Sequence, residues 1–280
     1  MSAPLLQVIG DPIFHSKSPV IQTTMLDYLG LDIPYTPQLV KKGEVAQYLD
    51  YALAHGVTGF NATMPHKEDL VPLMDQLGEE VERYGAVNTV CRRDGTWIGH
   101  NTDGDGCLES LVHMGMWPAR QVVLLGAGGA ARAVALRLAQ TKAERIWVCN
   151  RTLPKAHQLC QLDSSGTLIP VGFDPSTLSE VCSQSQLVIN CTNLGMDDCP
   201  HQFEDFSFLD ALPRDAGVMD LIYYPACTEL LRQAQTRGLK TCNGLPMLIY
   251  QAIFALEYFL DRPLPRYELA QVVFAKLGLV

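Results

Sequence analysis

The residues Gly126, Ala127, Gly128, Gly129, Ala130 and Ala131 follow a short apolar run, Val122 to Leu125, and open a helical pattern free of proline. A second apolar run, Ile146 to Cys149, comes next. Strand, glycine turn, helix and strand within about 30 residues is the context that a dinucleotide-binding fingerprint requires. Gly126 allows the tight turn, Gly128 lets the backbone approach a pyrophosphate, and Ala131 takes the third fingerprint position, where alanine is accepted. The free N–H groups and positive end of the helix are suited to the phosphates. The second strand stops at Asn150-Arg151-Thr152. A site for NAD usually offers Asp or Glu there, for the ribose 2′-hydroxyl. Arg151 offers a charge-assisted, bidentate contact with a 2′-phosphate instead, and Thr152 adds a hydroxyl. The pattern therefore favours NADP, against the blander reading of a solvated arginine in a turn.

Lys67 is the candidate acid/base. Pro65 is expected to open a helix after the strand Val57 to Phe60, which puts Lys67 in its first turn, where its charge opposes the helix dipole. A lysine so placed points to chemistry, against the default of a surface residue. His66 is read as helix surface, and His15 and His100 are given no role. Ser16 and Ser18 stand on the loop beyond the strand Leu5 to Gly10, where an α/β sheet places ligands. Ser18, followed by Pro19, also reads as the N-cap of a helix over Val20 to Leu29, whereas Ser16 has no structural task of its own. Asn88 and Asp103 lie at the two ends of a hairpin, Val87 to Arg92 with Thr96 to His100, turning on Asp94-Gly95. Asp103 would also cap the helix that follows. Gln251 interrupts the apolar face of a C-terminal helix and needs hydrogen-bonding partners there. No histidine or cysteine spacing suggests a metal.

These groups need a scaffold, and 280 residues suffice for two domains. Further strands are expected at Ile33 to Val40, Thr167 to Val171, Leu187 to Asn190, Val218 to Leu221 and Leu239 to Thr241, and a helix over Glu44 to His55. The last four strands join the two of the fingerprint to make six, as a doubly wound nucleotide domain wants. Asn190 to Asn193 stands at a strand end and is expected to face the cofactor. Cys199 to Asp215 reads as a loop. The net charge of −9 argues against a nucleic-acid surface, so an anionic substrate must be held by local groups. No apolar stretch is long enough to span a membrane, and the start of the chain does not read as a signal peptide. Nine cysteines without paired spacing suggest reduced thiols in the cytoplasm.

HSKSP, NATMPHKE, GAVNT, GHNTDG, GAGGAAR, NRT and NGLPMLIYQA, in that order, resemble the motifs of the shikimate dehydrogenase family over Gly10 to Gln251. The resemblance implies two α/β domains flanking a cleft, the second a doubly wound, Rossmann-type sheet. The substrate-binding catalytic domain would comprise 1–103 with 244–280, and the NADP-binding domain 104–243. It implies reversible NADPH-dependent reduction of 3-dehydroshikimate to shikimate in aromatic amino-acid biosynthesis. Lys67 and Asp103 would form the catalytic pair. Ser16 and Ser18 would bind the substrate carboxylate, Thr63, Asn88 and Gln251 its oxygens, and Tyr223 would also reach it. Gly126 to Ala130, Asn150, Arg151, Thr152, Lys155, Leu221 and Gly244 would hold NADP. The expected partners are the small-molecule substrate and a second copy of the chain. Two departures stand out: Pro246 where the family pattern GLGML has glycine, and NATMP in place of NVTVP. The alternatives are a quinate/shikimate dehydrogenase using NAD(P), and a cofactor-binding sensor without catalysis.

Overall fold

The computed structural model describes residues 4–14, 16–197, 199 and 201–278. His15 and the first three residues of the chain lie outside them. The chain divides into two compact units, residues 1–102 with 249–280 and residues 103–248. The divisions fall between Thr102 and Asp103 and, within a helix, after Leu248; the sequence reading puts them after Asp103 and before Gly244.

The first unit opens with β1 (Leu5–Gly10), α1 (Ser18–Tyr28), β2 (Tyr35–Leu39), α2 (Val45–Ala54) and β3 (Val57–Ala62). It continues with β4 (Gln76–Leu77), α3 (Glu79–Tyr84), β5 (Thr89–Arg93) and β6 (Thr96–His100). The strands form one sheet in the order β2-β1-β3-β5-β6-β4. β1, β2 and β3 are parallel, and β5 is antiparallel to both β3 and β6. Asp94 and Gly95 both adopt positive φ, 48° and 86°, as a two-residue hairpin turn requires. One face of the sheet carries Phe60, packed edge-on against Tyr48 of α2 at 5.0 Å and against Trp97 at 5.8 Å. Burying a phenylalanine this fully contributes roughly 1.5–3 kcal/mol.

The second unit contains α4 (Asp103–His113), β7 (Gln121–Leu125), α5 (Gly129–Ala139), β8 (Arg145–Cys149), α6 (Leu153–Cys160), β9 (Leu168–Val171), α7 (Pro175–Cys182), β10 (Leu187–Asn190), β11 (Gly217–Asp220), α8 (Glu229–Thr236) and β12 (Lys240–Cys242). Its six strands run parallel in the order β12-β11-β10-β7-β8-β9, a doubly wound sheet. Both faces are covered, so the strands are continuous apolar runs: Val122 to Leu125 and Leu187 to Ile189 have no exposed surface. Part of the expected loop over Cys199 to Asp215 is a short 3-10 helix, Ser207–Ala211, whose Phe208 and Leu209 enter the core beside α7. α9 (Leu245–Leu260) then runs into the first unit, and α10 (Arg266–Lys276) packs on α1. Pro246 occupies the first turn of α9, where a missing N–H leaves no intrahelical bond unmade. The departure from glycine is thus compatible with the helix start.

No helix among the described residues is long and apolar enough to cross a membrane. All nine cysteines are free.

Candidate active site

Two of the expected residues of the first unit, Asn88 and Gln251, meet with Thr102 in a largely buried polar centre. Asn88, just before β5, donates from Nδ2 to Thr102 Oγ1 at 3.1 Å and to Gln251 Oε1 at 3.4 Å. Its Oδ1 accepts the Thr102 N–H at 2.9 Å and the Thr89 hydroxyl at 2.9 Å. Behind it Asn61 Nδ2 donates to Asn88 O and Thr89 Oγ1, and the Tyr35 hydroxyl donates to Asn61 Oδ1 at 2.8 Å. Gln251 therefore finds its partners on Asn88 and Thr102, across 149 residues or more of sequence. Asn61 and Thr102 were missed as supporting residues. The signal available for them was their place inside the same motifs, NATMP and GHNTDG.

The main chain of Lys67 is tied to the strand that carries Asn88, but Lys67 does not stand on a helix. Residues 63–70 form successive turns, with His66 N–H on Thr63 O and Leu70 N–H on His66 O, and then the 3-10 helix Val71–Leu73. Pro72 lacks the N–H that an α-helix through this stretch would need. The supposed conflict of Lys67 with a helix dipole therefore does not exist. Lys67 is half-buried, and its carbonyl accepts the Val87 N–H at 2.7 Å, one residue from Asn88. Thr63, also half-buried, is fixed by its N–H on Ile9 O. Its methyl packs so close to Gly10 that a Cβ there would stand 2.5 Å away.

His66 is fully buried, not surface as expected. Its Nε2 lies 2.8 Å from Val40 O, so this nitrogen carries the proton and ties the turn to the end of β2. Burial rules it out as an alternative acid/base.

The two serines exchange tasks. Ser18 is the first residue of α1 and makes no side-chain cap. The Ser16 hydroxyl instead accepts the Ser18 N–H at 3.2 Å. Both are half-buried. The expectation that Ser18 caps and Ser16 has no structural role is thus reversed, because the helix starts at Ser18 and not after it.

His100 also has a task. It stacks on Tyr258 at 3.7 Å, and its Nδ1 lies 3.0 Å from Glu80 Oε1, which also accepts the Asn101 N–H. Burial alone would lower its pKa, but the Cys91 sulfur and the Glu80 carboxylate push it up to about 9. Burial likewise works to raise the Glu80 pKa, and the bond to His100 leads the effects that lower it. A raised histidine pKa contributes stability that is complete below the unfolded value, about 6.5, and is lost as pH rises toward the folded value. Wild type is thus expected to exceed His100→Gln by on the order of 1 kcal/mol at pH 6. The excess should shrink through pH 9 in thermal melts, and an excess independent of pH would refute the ion pair.

In the second unit, Asp103 is the buried first residue of α4, directly following Thr102. Gly126 has φ 110°, a turn only glycine makes without strain. Its N–H donates to Cys149 O. Ala127 is half-buried, while Gly128, Gly129 and Ala130 are exposed at the start of α5. No side chain caps that helix, and a Cβ added at Gly128 or Gly129 meets nothing within 4 Å. Open space before uncapped N–H groups fits a pyrophosphate. Asn150 donates from Nδ2 to Thr152 O at 2.8 Å, shaping the turn after β8 on which Arg151, Thr152 and Lys155 are exposed. That fits a 2′-phosphate. Leu221 and Tyr223 are half-buried beyond β11, and burial pushes the Tyr223 phenol up. Gly244 meets Leu221 so closely that a Cβ would lie 1.9 Å from its carbonyl oxygen. Asn190, expected to face the cofactor, has no exposed surface.

Residues 8–90 match the shikimate dehydrogenase substrate binding domain, and residues 111–194 match shikimate / quinate 5-dehydrogenase. The shikimate dehydrogenase (NADP(+)) of Alkaliphilus oremlandii is 38% identical, covering 97% of this chain and 96% of its own. The chain belongs to the shikimate dehydrogenase family. Among solved structures of similar fold, shikimate dehydrogenase from Aquifex aeolicus is 34% identical with a TM-score of 0.83, covering 97% of each chain. Quinate dehydrogenase from Corynebacterium glutamicum, in complex with NAD, is 28% identical with a TM-score of 0.85, covering 98% of this chain and 99% of that one.

Proposed function

We propose that this chain catalyses the reversible NADPH-dependent reduction of 3-dehydroshikimate to shikimate, in the biosynthesis of chorismate and the aromatic amino acids. The observation that carries the reading is the centre formed by Asn88, Thr102 and Gln251, with the Lys67 carbonyl on the N–H of Val87, the residue before Asn88. Amide and hydroxyl groups held there suit the oxygens of a polyhydroxylated ring. Thr63, Asn88 and Gln251 bind those oxygens, and Tyr223 adds a contact. Ser16 and Ser18 take the carboxylate, a local anion site on a chain whose net charge is −9.

NADPH, when bound, supplies the hydride. Gly126 to Ala130 would receive its pyrophosphate, Asn150, Arg151, Thr152 and Lys155 would hold its adenosine phosphate, and Leu221 and Gly244 would serve the nicotinamide. Lys67 stabilises the oxygen that gains charge and passes it a proton; in the oxidative direction it takes the proton back. Asp103 orients Lys67 and accepts a hydrogen bond from a substrate hydroxyl. The reading extends to a cytoplasmic homodimer, the nine free thiols supporting the compartment.

The rival is a quinate dehydrogenase using NAD, the activity of the Corynebacterium neighbour. Initial rates with shikimate and quinate, each with NADP and NAD, separate the two. Arg151→Ala is expected to raise the KM for NADPH by about 10- to 100-fold, as one or two charge-assisted bonds are lost. The KM for NADH should change less than about twofold, since it lacks the phosphate. Equal changes for both cofactors would overturn the NADP assignment.

A further inference from the structure

Two polar side chains are sealed at the C-terminal edge of the parallel sheet, and the reaction as described uses neither. Asn190 ends β10 and Asp220 ends β11, side by side in register. Neither has any exposed surface. Asn190 Nδ2 donates to Asp220 Oδ1 at 3.0 Å and to Leu194 O at 3.2 Å, while its Oδ1 accepts the Thr192 N–H and hydroxyl at 3.0 and 2.7 Å. Asp220 Oδ1 also accepts the Ile222 N–H at 3.1 Å, and Oδ2 accepts the Thr228 hydroxyl at 2.6 Å. The Thr228 oxygen in turn caps α8 by accepting the Leu231 N–H. Burial pushes the Asp220 carboxyl up to about 6, with its three donors pulling the other way.

A buried carboxylate is costly unless its lone pairs are used, and apolar residues would hold two adjacent strands equally well. What they could not do is direct the chain after the strands end. Apart from their mutual contact, every side-chain bond of this pair goes to the two loops that follow. The first loop packs on the phosphate turn: a Cβ at Gly126 would lie 3.1 Å from Thr192 Cγ2. The second runs past Leu221 and Tyr223 and is held at its other side by Gly244 N–H on Ile222 O and Asn243 Nδ2 on Ala226 O.

We propose that Asp220, braced by Asn190, is a positioning residue whose carboxylate sets the course of residues 221–228 and so places Leu221 for the cofactor and Tyr223 for the substrate. The placement of ligands rests on the function proposed above. The test compares Asp220→Ala with Asp220→Asn, and Thr228→Val with Thr228→Ser, the second pair being available if Asp220→Ala does not fold. Amide exchange of the ligand-free protein is read first. The Ala and Val variants should exchange about tenfold faster at 221–228, as expected for one lost bond to a charged group, with β7 and α5 unchanged. KM for NADP and shikimate should rise about tenfold with kcat nearly kept. Asn and Ser, which retain an acceptor and a hydroxyl, should restore most of both. Unchanged exchange would overturn the proposal, and so would faster exchange with unchanged KM, which would leave Asp220 a purely structural group. A wild-type protein that binds neither NADPH nor shikimate would instead sink the functional reading, and the exchange data would still decide whether Asp220 sets the loop.

Discussion

Lys67→Ala is expected to lower kcat by roughly two to four orders of magnitude, with a smaller change in the KM for shikimate, the usual effect of removing a positioned acid/base group. The main chain at Lys67 is fixed independently of its side chain, through its carbonyl on Val87 N–H, His66 N–H on Thr63 O and the His66 ring on Val40 O. The variant should therefore fold with a melting temperature close to wild type. No gain in stability is expected, because Lys67 stands in a turn and opposes no helix dipole. Steady-state kinetics in both directions, beside a thermal melt, check the result. Wild-type kcat in a folded variant would refute the role, and His66 could not inherit it, since its ring has no exposed surface.

Gly244→Ala is expected to be the most damaging single methyl in the second unit. Its Cβ would sit 1.9 Å from Leu221 O and 2.5 Å from Leu221 C, both backbone atoms that no rotamer change can move aside. Forced overpacking costs about 1–3 kcal/mol, occasionally more. At the upper end the melting temperature falls by about 10 °C for a unit of this size. The displaced Leu221 should also weaken NADPH binding. Gly128→Ala is the control: its Cβ meets nothing within 4 Å, so stability should hold. Only cofactor affinity should fall there, because the methyl occupies the approach of the pyrophosphate. A Gly244→Ala protein that melts like wild type would show that the chain relaxes around the contact.

Much of the second unit was legible because its strands are buried on both faces, so apolar runs mark them directly: Leu187–Asn190 coincides with expectation, and the two strands that follow it shift by one residue. The Asp94-Gly95 turn was legible because its chemistry is local. Illegible features depend on distant partners. The turn at 63–70 is shaped by Val40, Ile9 and Val87, and nothing in MPHKE distinguishes it from a helix start. The burial of His66 and the cap by Ser16 follow from where neighbouring elements end, a matter of one residue that periodicity does not resolve. The two-residue β4 has no local signal at all, being defined by its pairing with β6.

The second unit is inserted within the first, and this bears on how the protein is made. The first unit is completed by its last helices: Gln22 donates to Ala252 O across 230 residues, and α10 packs on α1. A ribosome adds about 5–20 residues per second, so the N-terminal sheet waits on the order of ten seconds while residues 103–248 are made. The inserted unit is contiguous and should gain protease resistance first, although its codons come second. Nascent chains stalled where Leu248 has just cleared the ribosome should yield a protected fragment from the inserted unit and a sensitive N-terminal segment. Protection of the N-terminal segment at that stage would mean that its sheet stands without α9 and α10. Until those helices emerge, the face of β3 at Gly59, which Phe259 of α9 covers, is open to a chaperone, a consequence of chain order and not of final stability.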